Sequence, residues 1–175
     1  MTRGSKILIT GMPGSGKTTL FKRLVHALRH LSPIGFYTSE IREKGIRKGF
    51  ALRSLGGRSG ILAHVQFHSA NRVGKYGVDL DGFETFIRTL SSADRQTGLV
   101  MIDEIGKMEC LSTVFQKWVR DLFDRPQPIV ATIAQRGGGL IAELKRLPGV
   151  RIFAITRENQ DDVFKKICSL FSGLD

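Results

Sequence analysis

Cysteine is scarce: Cys110 and Cys168 are far apart and in unlike surroundings. That excludes a disulfide framework and a metal site built on paired cysteines. Both read as reduced thiols of a cytosolic, cytoplasmic protein. No apolar run approaches the roughly 18 residues a membrane helix needs, so no membrane is expected as a partner. The opening "MTRGSK" leads directly into a strand-like run and does not read as a secretory signal. Acidic residues are few, 16 against 27 Lys and Arg, for a net charge of +11. That excess favours anionic partners, nucleotides or nucleic acid. There is no RNA-binding signature, internal repeat, low-complexity segment or linker. The 175 residues, 41% of them hydrophobic, suffice for one core, so a single domain over 1–175 and a monomer are expected.

Short apolar runs alternate with helix-like runs, the pattern of an α/β fold with a mainly parallel sheet. "KILIT", "IGFYTSEI", "GLVMID", "IVATIA" and "VRIFAIT" read as strands. The 3.6-residue spacing predicts a helix from Lys17 to Leu31, stopped by Pro33, with Leu20, Phe21, Leu24, Val25, Leu28 and Leu31 inward. Further helices are expected over Asp79–Leu90, after the candidate cap Ser112, over Leu140–Leu147 and over Glu158–Phe171. Residues 41–70 read as a β-rich, basic, antiparallel excursion. Arg42, Lys44, Arg47, Lys48, Arg53 and Arg58 stand there against Glu43. A solvated basic hairpin is the simpler reading, and a nucleic-acid surface is the alternative.

The segment from Gly11 to Thr19, "GMPGSGKTT", has G-x-x-x-x-G-K-[ST] without a gap, after a strand and opening a helix. Phosphate oxygens need several backbone N–H groups at close range, and glycine lets the backbone curl around them. The helix N-terminus adds unpaired N–H groups and partial positive charge. Gly11, Met12, Pro13, Gly14, Ser15, Gly16, Lys17, Thr18 and Thr19 are thus the expected nucleotide contacts. Lys17 is expected at the β and γ phosphates and Thr18 on magnesium.

Asp103 and Glu104 end the apolar run "LVMIDE". An aspartate there suits Mg²⁺, a hard cation that prefers oxygen. The neighbouring Glu104 is then placed to orient and deprotonate a water attacking the γ-phosphate. "DEIG" meets the DxxG spacing of signalling GTPases, but no N-K-x-D base-reading motif follows. The candidate metal residues are therefore Thr18 and Asp103, and the candidate catalytic residues Lys17 and Glu104.

Together with "GFYTSEIREKGIRKGF", "NRVGKYGVDLDGFE" and "MIDEIGKME", these motifs resemble the THEP-type, or cancer-related, nucleoside-triphosphatase family over nearly the whole chain. The resemblance implies one three-layer P-loop NTPase domain of the additional-strand, catalytic-glutamate class. It implies slow, Mg²⁺-dependent hydrolysis of ATP, GTP and other nucleoside triphosphates, with loose base choice. Where the family often has an Asn-Arg pair after the last strand, this chain has Asn159 and Gln160. The alternative functions are a small-molecule or nucleoside kinase and a nucleotide-dependent nucleic-acid-binding module.

Weaker candidates complete the reading. Thr132 could sense the γ-phosphate or hold the water. Arg72, Lys75, Lys107, Arg136 and Arg157 are candidate cations for the transition state. His26 and His30, and His64 and His68, are four apart, but neither pair carries the H-E-x-x-H carboxylate.

Overall fold

The computed structural model describes residues 4–93 and 98–172, so the first three residues of "MTRGSK" lie outside it. Five strands run parallel: β1 (Lys6–Thr10), β2 (Ile34–Glu43), β7 (Val100–Ile105), β8 (Ile129–Ile133) and β9 (Val150–Ala154). Four more extend the same sheet antiparallel: β3 (Ile46–Ser54), β4 (Ser59–His64), β5 (Arg72–Val73) and β6 (Tyr76–Val78). The order is β5-β6-β4-β3-β2-β7-β8-β1-β9, which puts β8 between β1 and β7.

The helices are α1 (Lys17–Ala27), α2 (Leu80–Ala93), α3 (Thr113–Asp124), α4 (Leu140–Arg146) and α5 (Gln160–Ser169). Successive side chains of a strand point to opposite faces, and the parallel strands are apolar on both. Ile7, Ile9, Met101 and Val130 pack with Leu20, Phe21 and Leu24 of α1 and Val163 and Ile167 of α5. Leu8, Val100, Ile102 and Ala131 face the other way, onto Phe83, Phe115, Trp118 and Leu144 of α2, α3 and α4. Three layers result. At the second face Phe36 of β2 meets Phe83, Phe86 and Phe115 edge-on, with ring centroids 6.1, 5.8 and 6.2 Å away.

Two local readings change. The first helix ends at Ala27 rather than Leu31; a 3₁₀ turn, Arg29–Leu31, follows. Ser32 then turns at φ 47°, reversing the chain into β2 before Pro33 can act as the stop. The antiparallel excursion also continues past residue 70, through β5 and β6 to Val78. The expected cap is present: the Ser112 hydroxyl accepts from Phe115 N–H at 3.0 Å at the start of α3.

Candidate active site

The loop between β1 and α1 is shaped by its glycines and fixed by side chains on its carbonyls. Gly16 sits at φ 90°, in the left-handed region that favours glycine, and a Cβ there would collide with the Gln160 amide. Gln160 Nε2 donates to Ser15 O at 2.8 Å, and Arg157 Nε to Gly14 O at 3.4 Å. The start of α5 therefore braces the loop rim. Lys17 Nζ donates to Gly11 O at 3.0 Å and to Met12 O at 3.2 Å, which holds the ammonium over the mouth of the loop.

The end of β7 supplies the acids. Pairing with β8 jumps from Ile102–Ala131 to Ile105–Ile133, so Asp103 and Glu104 share a bulge opposite Thr132, and the peptide between them is cis. Bulges beside sites re-aim side chains. Asp103 is 1% exposed. The buried Thr132 hydroxyl donates to its Oδ1 at 2.5 Å, and the Thr18 hydroxyl faces the same carboxyl. Burial pushes the Asp103 pKa up; those hydroxyls and the ammoniums of Lys17 and Lys22 pull against it. Oδ2 is buried without a hydrogen-bond partner. An orphaned buried oxygen is costly. Beside the Thr18 hydroxyl it is a donor set suited to a hard divalent cation.

Glu104 is half-buried and stands between two cavities. One, of about 470 Å³, also touches Lys17 and Thr18; the other, of about 370 Å³, touches Lys17, Met12 and Arg136. Burial raises the Glu104 pKa, Lys17 lowers it, and Asp103 raises it again. A carboxylate poised above its usual range is a better base.

A third acid, Glu109, lies within "MIDEIGKME", where the sequence assigns it no role. It opens a 3₁₀ turn, Glu109–Leu111, and is 5% exposed. Its carboxyl accepts from the backbone N–H groups of Gly106 and Glu109. Gly106 makes room: a Cβ there would lie 3.0 Å from Glu109 Oε2 and 3.4 Å from Glu104 Cδ. Burial, then the charge of Glu104, pushes the Glu109 pKa up to about 8. Only burial in the folded chain marks this residue, so no sequence signal identifies it.

The other candidates separate. Thr132 contacts Asp103, so it positions that carboxyl. Arg136 shares a cavity with Lys17 and Glu104. Arg72 and Lys75 lie in the β5–β6 hairpin at the sheet edge, Arg72 donating to Lys75 O at 2.7 Å and Lys75 lying over Tyr76. Lys107 is exposed after β7. His26 Nε2 lies 3.1 Å from Arg29 Nη1, and His64 Nδ1 accepts from Gln66 N–H at 3.3 Å. Among the described residues, no three or more His, Cys, Asp or Glu are grouped to hold a metal by themselves. No helix among them is long and apolar enough to cross a membrane.

Glu109 gives a stability test. Its folded pKa, about 8, lies above the ordinary 4.5, so the folded chain keeps a proton that the unfolded chain releases. The stabilisation is whole at acid pH and is lost as pH rises through that window. Glu109→Gln, which stays neutral, should flatten the decline. Melting temperatures from about pH 5 to about pH 9 should fall more for the wild type than for the variant. Parallel curves would show that Glu109 is ionised throughout.

Residues 6–168 match the family described as NTPase. Nucleoside-triphosphatase THEP1 of Thermotoga petrophila is 44% identical over 163 residues, covering 93% of this chain and 90% of that protein. Cancer-related nucleoside-triphosphatase of Homo sapiens is 36% identical over 177 residues, covering 92% and 93%. The crystal structure of THEP1 from the hyperthermophile Aquifex aeolicus superimposes with a TM-score of 0.85 at 38% identity, covering 95% of this chain and 99% of that one. With a match over nearly its whole length, on a fold of the same shape, the chain belongs to the NTPase family of nucleoside triphosphatases.

Proposed function

We propose that the protein hydrolyses ATP, GTP and other nucleoside triphosphates to diphosphate and phosphate, slowly and with Mg²⁺. The observation that carries this reading is one cavity lined by Lys17, Thr18 and Glu104 at the N-terminus of α1. The loop N–H groups and helix end hold the phosphates. Lys17 gives up its two carbonyls for the β and γ oxygens. Thr18 and Asp103 would hold magnesium, which when bound neutralises phosphate charge. Glu104 orients a water and takes its proton as the oxygen attacks the γ phosphorus. Arg136, across the second cavity, is the favoured cation for the developing charge.

The additional-strand, catalytic-glutamate class fits β8 lying between β1 and β7 with Glu104 after Asp103. A single domain, a monomer and a cytoplasmic location are part of the proposal; the two free thiols, both with pKa values pushed up by burial, suit a reducing compartment. Of the basic segment, Arg42 and Arg47 already pair with Glu40 at 2.6 and 2.8 Å, which counts against a nucleic-acid surface there.

Phosphate release separates the parts. Lys17→Ala should lose hydrolysis and weaken triphosphate binding while the chain stays folded. Arg136→Ala should lower kcat by roughly 10², with nucleotide affinity little changed. Wild-type turnover in Lys17→Ala would remove the phosphate-binding assignment.

Metal and base dependence give a second test. Asp103→Asn should weaken the magnesium dependence and the rate together. GTP, CTP and UTP should compete with ATP within about tenfold, because phosphate and metal supply the affinity. A hundredfold preference would reveal a base pocket, sought first near Arg157 and Asn159.

A further inference from the structure

The cavity beside the glycine loop continues past the phosphate-binding groups. From Lys17 and Glu104 it extends to Thr38, Glu40, Arg47 and Phe50. Tyr37 is the last β2 residue paired with β7, and it lies opposite Asp103. From Thr38 onward β2 pairs with β3 alone. The protruding β2–β3 ribbon thus forms a wall beyond the carboxyl ends of the parallel strands, where open α/β sheets take their ligands.

The strand order gives the cavity a direction. Arg157 and Gln160 brace the loop from the β9 side. Glu104 lies toward β7, and β2 and β3 are farther along the same line. A nucleotide whose nucleoside leaves over the β9 side points its γ-phosphate at Glu104 and leaves the β2–β3 end open.

That end is built for more than water. The Arg47 guanidinium lies 5.3 Å from the Phe50 ring centroid, and Phe50 meets Tyr76 edge-on at 5.2 Å. Arg47 is fixed by Glu40 Oε1 at 2.8 Å and the Tyr76 hydroxyl at 3.0 Å. The result is a preorganised guanidinium–aromatic pair on the cavity lining, beside Thr38 and the Arg-paired Glu40. A flat heteroaromatic ring with polar edges and a sugar with hydroxyls complement that set. Hydrolysis by water uses none of these groups.

We propose that the β2–β3 end of the cavity is an acceptor site for a nucleoside, and that the protein transfers the γ-phosphoryl group to a nucleoside hydroxyl. The proposal rests on the roles given above to Lys17 and Glu104. Glu104 takes the hydroxyl proton as that oxygen bonds to the γ phosphorus. The bond from phosphorus to the β–γ bridging oxygen breaks, and nucleoside diphosphate leaves. The acceptor becomes its monophosphate, and Glu104 returns the proton to solvent. Water takes the same path when the site is empty.

The test uses the whole chain, magnesium and γ-labelled ATP with adenosine, guanosine, cytidine or uridine. At least one nucleoside should yield labelled monophosphate, with free phosphate falling as it forms. Phe50→Ala and Arg47→Ala should lower the ratio of labelled monophosphate to free phosphate by roughly tenfold and raise the KM for the nucleoside. Phe50→Tyr should restore the ratio. Free phosphate alone with all four nucleosides overturns the acceptor site and leaves the hydrolase standing. Transfer without any phosphate release in the absence of acceptor does the reverse. A rise in the KM for ATP in place of the nucleoside KM also overturns it, by showing that Phe50 holds the base of ATP.

Discussion

Asp103, Glu104 and Glu109 crowd two buried carboxyl groups and one half-buried one at one end of β7, and the arrangement of the site follows from keeping them there. Burial disfavours each anion; the charge of Asp103 also opposes that of Glu104, and both oppose ionisation of Glu109. Lys17 favours the ionised form of both Asp103 and Glu104, and hydroxyls from Thr132 and Thr18 satisfy part of Asp103. Glu109 meets the constraint differently, by keeping its proton. A positive loop opposite this acidic strand end is therefore a mutual requirement. The ammonium proposed to bind phosphate also favours the ionised forms of Asp103 and Glu104.

The two halves of the sheet divide the labour. The parallel half, apolar on both faces, fixes β1 and β7 one strand apart and so fixes the span between Lys17 and Glu104. The antiparallel half grows from β2, whose lower part is anchored by the fully buried Phe36. Its upper part needs no partner on the β7 side, and Thr38 and Glu40 are free to face the cavity. Arg47 ties this ribbon together through Glu40 and Tyr76, which spends basic charge that the composition alone suggests is available.

Local chemistry was legible in the sequence, and long-range packing was not. Gly11 to Thr18 could be read because a phosphate loop is contiguous and its glycines are needed where they stand. Leu20, Phe21 and Leu24 were readable as a buried face because one helix carries them all. β5 and β6 were missed, since strands of two and three residues show no alternation. Gln160 could be named as a departure from the family, but its bond to Ser15 O joins residues 145 apart in sequence. Glu109 was invisible because its raised pKa comes from burial and from the charges of Glu104 and Asp103, none of which its own residue type announces.

The central claim is that Asp103 and Glu104, adjacent in sequence, do different work. Glu104→Gln preserves size and removes the proposed base. Single-turnover phosphate release at saturating magnesium, measured beside nucleotide affinity, tests it most directly. The account predicts affinity close to wild type and release slower by roughly 10²–10⁴. Release at the wild-type rate would contradict it, and Glu104 would not be the base.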